Sequence, residues 1–213
     1  MVSKKIPVGS IVIFVFFLLT MVATYYLTKP APPPPELAGV LRANFKLLHP
    51  FELTDHNNNI FNEKNLLDKW SFVFFGYTSC PDVCPATLYV LKSVHGLLVD
   101  ETGKIPDDMQ VVFISVDPER DSSKKLADYI TYFNKDFIGT TAEMVKIDDI
   151  TQQFGAGYII DPKTANGEYN VSHTSAIFLV DPYGRLVASF SQPHQASTIT
   201  AQYRKIQKYF SWH

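Results

Sequence analysis

Cysteine is scarce in this chain, which has only Cys80 and Cys84 among 213 residues. A structural zinc site normally takes four protein ligands, and no third cysteine is present to help build one. An excess of charge of one sign is also lacking, since the formal net charge is −2, so nothing indicates nucleic acid or a strongly acidic partner. Apart from one proline run, repeats and low-complexity segments are absent. With 46% apolar residues, the chain can bury one core and carry a tail.

The N-terminal segment lacks charge altogether between residues 6 and 28. A helix of this length, at 1.5 Å per residue, is sufficient to cross a hydrocarbon core of about 30 Å. A cleaved signal peptide is the competing interpretation, but it should have a shorter apolar region that ends in a small-x-small site. The bulky run Ala23-Thr-Tyr-Tyr-Leu27 stands where that site belongs. We therefore predict that residues 1–28 are a cytoplasmic N-terminus and a retained transmembrane anchor.

Charges flanking this segment predict its orientation. Lys4 and Lys5 precede it and Lys29 follows it, so the positive-inside bias places the N-terminus in the cytoplasm. No Arg-rich transit peptide is present, which favours a bacterial inner membrane with the C-terminal domain in the periplasm. Residues 29–40 then include four consecutive prolines and are predicted to form a linker, either a semi-rigid polyproline stalk or a disordered tether. Either form holds the following domain just off the membrane.

Residues 41–213 have the pattern of a single α/β domain. Continuous apolar runs predict buried strands, helical spacing of leucines predicts a helix directly after the cysteines, and Asn166-Gly167 is typical of a tight hairpin turn. The predicted strands are 51–55, 70–75, 110–116, 157–161, 169–171, 175–180 and 186–190, and the predicted helices are 86–99, 122–133, 147–154 and 196–210. Strand, cysteine loop, helix, strand, helix and a terminal hairpin with its helix follow one another as in a thioredoxin-like fold.

The spacing of the two cysteines indicates metal or redox chemistry. Side chains four residues apart share one face of a helical turn, so both sulfurs can bind one soft ion or join to each other. A disulfide over so short a loop would stabilise the fold by only about 2 kcal/mol, which is a poor reason for the motif. In a thioredoxin-like fold, the cysteine loop faces the segment just before the terminal hairpin. This analogy places His173 opposite Cys80 and Cys84.

Two thiolates and an imidazole form a soft ligand set that suits Cu(I), and Cu(II) is also compatible with it. The nearby helix N-terminus should lower the pKa of the thiols, which serves metal capture and disulfide exchange alike. The other histidines have no partner spacing and are predicted to be surface or helix residues: His49, His56, His95, His194 and His213. A charged loop after one buried strand is either a solvated turn or a surface for docking a partner; it consists of Asp117, Glu119, Arg120 and Asp121.

The sequence resembles the Sco/SenC family of membrane-anchored copper proteins that assist cytochrome c oxidase assembly. The matching segments are Phe75-Gly-Tyr-Thr-Ser-Cys-Pro-Asp-Val-Cys-Pro85, Phe113-Ile-Ser-Val-Asp-Pro-Glu-Arg-Asp121, Val171-Ser-His-Thr174 and Ile177-Phe-Leu-Val-Asp-Pro-Tyr-Gly184. The resemblance implies copper bound by Cys80, Cys84 and His173 and delivered to the dinuclear copper site of oxidase subunit II. The sequence departs from the family pattern at Ser172, where many members have an acidic residue.

Three classes of function stay open at this point. The first is a copper-binding chaperone without turnover, supplied by a copper donor protein. The second is a thiol-disulfide oxidoreductase that uses a redox disulfide between Cys80 and Cys84, with a thiol reductant as partner, to keep the cysteines of the copper acceptor reduced. The third is a peroxidase or redox sensor, disfavoured because the peroxidatic cysteine of such enzymes lies in a different motif. A thioredoxin-type exchanger would also have a cis-proline where this chain has His173 and its neighbours.

Overall fold

A computed structural model of the chain describes residues 8–28, 33–99 and 106–211. The first element is helix α1 (Val8–Thr28). Within the described residues, α1 is the one helix long and apolar enough to cross a membrane, with a mean hydropathy of 2.0 over Gly9–Tyr26 and no buried residue in that span. Lys4, Lys5 and Lys29, which determine the predicted orientation, lie outside the described residues.

The domain is built on a mixed sheet of eight strands in the order β1-β10-β9-β4-β5-β6-β2-β3. Its centre is β4 paired in parallel with β5, and every residue of these two strands is buried, as expected for strands covered on both faces. The strands of the sheet are β1 (Leu41–Leu47), β2 (Glu52–Asp55), β3 (Ile60–Asn62), β4 (Trp70–Gly76), β5 (Met109–Ser115), β6 (Ile138–Thr141), β9 (Ile177–Val180) and β10 (Arg185–Phe190).

Helices cover both faces of the sheet. Alternate residues of β4 point to opposite faces, so Phe72 contacts Tyr203 of one helix while Phe75 contacts Phe154 of another, with ring centroids 5.1 and 5.3 Å apart. The helices are α2 (Val83–Leu97), α3 (Ser123–Phe133), α4 (Met144–Phe154) and α5 (Ala196–Phe210). Because α2 joins the parallel strands β4 and β5, its N-terminus lies at the end of β4 marked by Gly76.

A separate two-stranded sheet, β7 (Tyr158–Ile160) with β8 (Val171–His173), lies outside the main sheet. Between the strands, the chain turns at Asn166-Gly167, where Gly167 has a φ of 80° and donates its N–H to the carbonyl of Thr164. A positive φ is the reason for a glycine here. The hairpin predicted from this dipeptide is therefore present, although β7 is shorter than predicted and β8 begins two residues later than predicted.

The predicted thioredoxin-like α/β fold is confirmed, and α5 has the predicted bounds. Several element bounds differ from the prediction, and helix α4, for example, begins at Met144 rather than at residue 147. Helix α2 begins at Val83 rather than at residue 86, so Cys84 belongs to its first turn. Strands β1, β3 and β6 were not predicted: β3 and β6 are too short to show a period, and the alternation of apolar and polar residues in Leu41–Leu47 was missed. In β1, no residue is fully buried.

The packed domain also begins earlier than predicted. Pro35–Leu37, within the predicted linker, forms a short 3₁₀ turn whose Leu37 is completely buried in the core. Next to it, the carboxylate of Glu36 lies 3.0 Å from the ammonium of Lys205 on α5. Of the proline run, Pro34 and Pro35 therefore belong to the domain, while Pro30 and Pro32 lie outside the described residues.

Candidate metal centre

The two cysteines meet where β4 ends and α2 begins. Cys80 lies in the connecting loop, with its N–H bonded to the carbonyl of Tyr77 (3.2 Å), and Cys84 is the second residue of α2. The N–H of Cys84 donates to the sulfur of Cys80 at 3.4 Å. The pair is thus brought together by a loop that folds over a helix N-terminus, and not by one helical turn as the spacing predicted. The two sulfurs are not joined by a disulfide.

Gly76, the last residue of β4, leaves the space that the Cys84 side chain occupies. A Cβ atom at this position would lie 2.7 Å from the sulfur of Cys84 and 2.8 Å from a ring carbon of Phe113. Neither distance is compatible with an added methyl group in a close-packed interior. Cys84 itself has no exposed surface, whereas Cys80 is half-buried.

His173 reaches the cysteines from the last position of β8. Its Nε2 lies 3.3 Å from the sulfur of Cys84, and its Nδ1 lies 3.1 Å from the carbonyl oxygen of Thr174. A carbonyl can only accept, so Nδ1 carries the proton and Nε2 presents its lone pair to the cysteines. The rings of Phe74 and Tyr77 contact the imidazole edge-on and hold its plane. The predicted placement of His173 opposite the pair is what the structure shows.

The two thiols have opposite electrostatic environments. Donation from the Cys84 side chain and from backbone N–H groups lowers the pKa of Cys80 to about 4. The Cys80 thiolate and burial raise the pKa of Cys84 well above its ordinary value. Cys80 is therefore the thiolate of the pair and Cys84 the thiol that donates to it. The prediction that the helix N-terminus lowers the pKa of both thiols was wrong for Cys84, because desolvation and a neighbouring anion outweigh the dipole there.

The site opens to solvent through a cleft of about 450 Å³. One wall is the cysteine loop from Tyr77 to Val83, and the other is the segment from Asn170 to His173 with Ser175 and Gln192. Ser172, at the position where the resemblance implies an acidic residue, is exposed at this rim. Cys80 and His173 are thus accessible from the cleft, whereas Cys84 is completely buried.

Comparison with known proteins decides what kind of site this is. The family model described as SCO1/SenC matches residues 40–208, which is most of the chain. The chain belongs to the SCO1/SenC family. The resemblance drawn from its motifs is therefore confirmed, and Sco proteins are copper-binding proteins of cytochrome c oxidase assembly.

Individual Sco proteins agree with this assignment. A SCO2-like protein of Rickettsia prowazekii, RP587, is 34% identical over 187 residues, covering 86% of this chain and 89% of its own. The crystal structure of yeast Sco1 with copper bound has a TM-score of 0.70 and 30% identity, covering 76% of this chain and 89% of that one. The structure of Bradyrhizobium japonicum ScoI with copper bound has a TM-score of 0.65 and 32% identity, covering 75% and 99%.

The residues of this Sco-family chain fit a copper ion. The two sulfurs and the histidine nitrogen all lie within 4.8 Å of one another, so a common ion can be reached by all three with small adjustments. Thiolate and imidazole are ligands that copper prefers, and three ligands are fewer than a closed structural zinc site requires. The hydrogen bond from Nδ1 to Thr174 gives His173 the orienting partner that metal-binding histidines usually have.

The carboxylate of Asp121 holds the cysteine loop in place through hydrogen bonds. This carboxylate is completely buried and accepts hydrogen bonds from the backbone N–H of Thr78 (2.9 Å), the hydroxyl of Thr78 (2.5 Å) and the hydroxyl of Ser115 (2.7 Å). Lys125 provides a longer ion pair at 3.4 Å. Asp121 is therefore an anchor for the loop that carries Cys80, and the solvated-turn interpretation of its position was wrong.

The carboxylate of Asp117 anchors the histidine side of the site in a similar way. It is also completely buried, pairs with Arg120 at 2.5 Å and accepts from the hydroxyl of Tyr169 at 2.7 Å. Arg120 in turn donates to the carbonyl of Tyr169 (2.9 Å) and lies over its ring, 3.7 Å from the centroid. Tyr169 is four residues before His173, so this network ties the β7–β8 hairpin to the end of β5. Sequence reasoning missed Tyr169, because its partners are about fifty residues away.

The remaining histidines of the described part of the chain lie away from the cysteines and are held by other groups. His95 is buried on α2, where its Nδ1 lies 3.1 Å from the side-chain amide of Asn134. The ring nitrogens of His56 and His194 bond to backbone groups of Gly139 and Phe190. The backbone N–H of His49 donates to Gln153. His213 lies outside the described residues.

Proposed function

We propose that this chain is a membrane-anchored metallochaperone that binds one copper ion through Cys80, Cys84 and His173 and delivers it to the dinuclear copper site of cytochrome c oxidase subunit II. The observation that supports this most directly is the convergence of the three ligand atoms beside an open cleft, which Cys80 and His173 line. Copper bound to yeast Sco1 and Bradyrhizobium japonicum ScoI, both near 30% identical to this chain, supports the identity of the ion.

The roles of the three residues follow from their surroundings. Cys80, as the half-exposed thiolate, meets incoming copper first. Cys84 must lose its proton to become a ligand, and the positive charge of the ion makes that loss favourable where burial alone opposes it. His173 completes the set from a different part of the fold. Because Cys80 and His173 line the open side of the cleft, an acceptor's ligands can replace them one at a time, which is how a carrier releases its ion.

The membrane anchor is part of this proposal. Helix α1 has the length and hydropathy of a transmembrane segment, and only residues 29–33 separate it from Pro34 at the domain surface. We place the N-terminus in the cytoplasm and the domain in the periplasm of a bacterium, because Lys4 and Lys5 outnumber the single Lys29. Protease added to intact spheroplasts should digest the domain and spare an N-terminal reporter, and protection of the domain would reverse the topology.

A thiol-disulfide oxidoreductase that reduces the cysteines of the copper acceptor is the second candidate. The pKa of about 4 for Cys80, in the range of reactive redox cysteines, favours it. In this alternative, Cys80 attacks an acceptor disulfide and Cys84 then resolves the mixed disulfide, so both end oxidised and a thiol reductant must restore them. BsSco, a member of the Sco family in which a disulfide switch was identified, shares the fold, but at 18% identity this likeness supports no more than the fold.

Partner docking remains a proposal for the exposed part of the charged loop. Asp117 and Asp121 are buried within the domain, and their carboxylates are already bonded to neighbouring groups. Glu119 is exposed and pairs with Lys163 across the rim of the hairpin, and part of Arg120 is accessible. Of the four predicted docking residues, Glu119 is therefore the one whose side chain is most accessible to a partner.

Anaerobic copper titration of the full chain separates the two candidates. The reduced protein should bind one copper ion per chain, and the protein oxidised at Cys80 and Cys84 should bind none, because a disulfide consumes both sulfur ligands. Stoichiometric, tight binding by the oxidised protein would contradict the proposed site. If the reduced protein bound no copper but still reduced an acceptor disulfide, the oxidoreductase function would be favoured instead.

The delivery role is tested in the organism. Loss of the protein should lower cytochrome c oxidase activity under copper limitation, and added copper should partly restore it. The double variant Cys80→Ser, Cys84→Ser should behave like the deletion. Rescue by added thiol reductant with little response to copper would favour the oxidoreductase instead, and normal oxidase activity in the double variant at low copper would disprove the assembly role.

A further inference from the structure

We infer that the domain rests on the lipid surface through an apolar patch at the end of the sheet opposite the copper site. This interaction surface, here called the basal patch, consists of Phe45, Leu47, Leu67, Tyr183 and Phe210 around Gly184 and Arg185. The inference rests on the proposed membrane anchor, and it adds an orientation of the copper site relative to the bilayer.

The members of the basal patch form one continuous surface. Leu47 and Leu67 approach Gly184 from two directions, since a Cβ atom there would lie 3.8 and 3.5 Å from their methyl groups. The guanidinium of Arg185 lies between 5.1 and 5.9 Å from three ring centroids, those of Phe45, Tyr183 and Phe210. Of the patch residues, Leu47 is 62% exposed and Tyr183 70% exposed.

The position of the basal patch follows from the direction of the strands. Trp70, the first residue of β4, packs against Phe210, and Gly76, the last, packs against Cys84. Seven residues at about 3.3 Å each span roughly 20 Å. The patch and the copper ligands therefore lie at opposite ends of the same central strand.

The short connection between α1 and the domain determines which end of the domain faces the bilayer. Pro34 lies against Lys205, Lys208 and Tyr209 at the C-terminal end of α5, and Tyr209 contacts Phe210 of the patch. Only residues 29–33 connect Thr28 of α1 to Pro34, so the gap is at most about 20 Å even when fully extended. A domain of this size is about 40 Å across. The end with Pro34 must therefore face the membrane.

The chemistry of the surface suits the headgroup region of a bilayer. Aromatic rings and long cationic side chains are enriched at membrane–water interfaces, where an apolar body and a polar tip are both accommodated. Tyr183 and Phe45 supply the rings, and Lys208 and Arg185 supply cations at the rim, the latter paired with Asp181. Asp68, exposed beside Leu67, is a carboxylate that must stay at headgroup level. The copper site then faces away from the bilayer, roughly 20 Å above the patch.

Quenching by brominated lipids tests this orientation in the full chain. The variants Leu47→Trp and Tyr183→Trp add one emitter each to the basal patch, and the matched control Ile159→Trp adds one at an equally exposed apolar position beside the copper site. Each is reconstituted singly into nanodiscs of phosphatidylcholine and phosphatidylglycerol, with or without bromine near the headgroup. We expect the added emission at positions 47 and 183 to be quenched at least twofold and that at position 159 to be unchanged.

Quenching at position 159 without quenching at 47 and 183 would overturn the inference, as would no quenching at any position. A blue-shifted emission at 47 and 183 that brominated lipid leaves intact, and that reverts on dilution, would assign the patch to a second copy of the chain. Copper stoichiometry is measured on the same samples, and flotation with lipid reports on the anchor. Failure of the proposed function therefore appears separately from failure of the orientation.

Discussion

The two halves of the metal site are built in different ways. The cysteine half lies between the central strand β4 and helix α2, and Cys84 is completely buried against Gly76 and Phe113. The histidine half lies on the small β7–β8 hairpin, outside the main sheet, and is held by polar contacts through Arg120, Asp117 and Tyr169. The first half therefore depends on close packing against the central strand, whereas the second depends on a buried polar network.

Removal of either cysteine should have the largest effect on copper binding. Loss of an outer group that only orients a metal ligand typically lowers metal affinity 10- to 100-fold. We therefore expect loss of a sulfur ligand to lower copper affinity by more than about 100-fold. Competition with a chromophoric Cu(I) chelator measures this for Cys80→Ser and Cys84→Ser. Because both sulfurs belong to the cysteine half of the site, the two variants should be equally defective in copper binding. Near wild-type affinity in either one would remove that sulfur from the site.

The link between the two halves should depend strongly on Arg120. Its loss leaves the buried carboxylate of Asp117 without an ionic partner, a change that typically costs 3–5 kcal/mol. We expect Arg120→Ala to lower the free energy of unfolding by about that amount and also to weaken copper binding, since the hairpin with His173 loses its attachment. Urea denaturation and chelator competition measure the two effects.

Two further variants test whether the effect of Arg120→Ala comes from the buried network. Tyr169→Phe retains the ring under Arg120 but removes the hydroxyl that donates to Asp117, so a smaller loss of about 1–3 kcal/mol is expected. Lys163→Ala removes an exposed ion pair with Glu119 on the same rim and should change stability by less than about 1 kcal/mol. If Lys163→Ala weakened copper binding as much as Arg120→Ala, the effect would come from surface charge and not from the network.

The cysteine half should be sensitive to a single added methyl group. Gly76→Ala places a Cβ atom 2.7 Å from the sulfur of Cys84, and such overpacking costs roughly 1–3 kcal/mol. Copper binding should fall as well, because Cys84 has to move. The control Gly96→Ala, within α2 and with open space around it, should instead stabilise by about 0.5–1 kcal/mol. Equal effects of the two substitutions on copper binding would show that the space at Gly76 is unimportant.

The smallest expected effect is a pH dependence located away from the site. Burial lowers the pKa of His95, and the amide of Asn134 can only donate to its Nδ1, so the folded state holds the neutral imidazole. The unfolded chain then binds more protons below its pKa of about 6.5, and the stability contributed by His95 is full above that pH and declines as pH falls below it. His95→Gln should reduce the loss of stability between pH 7 and 5 in urea titrations. An unchanged slope would mean that other groups cause the decline.

The two halves of the site also differ in how far the sequence could predict them. Cys80 and Cys84 were identified from local spacing, and His173 from the order of elements in the fold. The burial of Asp117 and Asp121 could not be seen, because acidic residues in a loop look solvated until partners such as Tyr169 are brought to them by folding. The opposite pKa shifts of the two thiols were equally hidden, since they depend on which sulfur the fold buries.

The most direct test of the central claim is X-ray absorption spectroscopy of the copper-loaded, reduced full chain and of His173→Ala. The proposed site predicts two sulfur ligands and one nitrogen ligand in the wild type, with the nitrogen contribution lost and both sulfurs retained in the variant. An unchanged imidazole signal in His173→Ala, or a wild-type spectrum with fewer than two sulfurs, would contradict the assignment of copper to Cys80, Cys84 and His173.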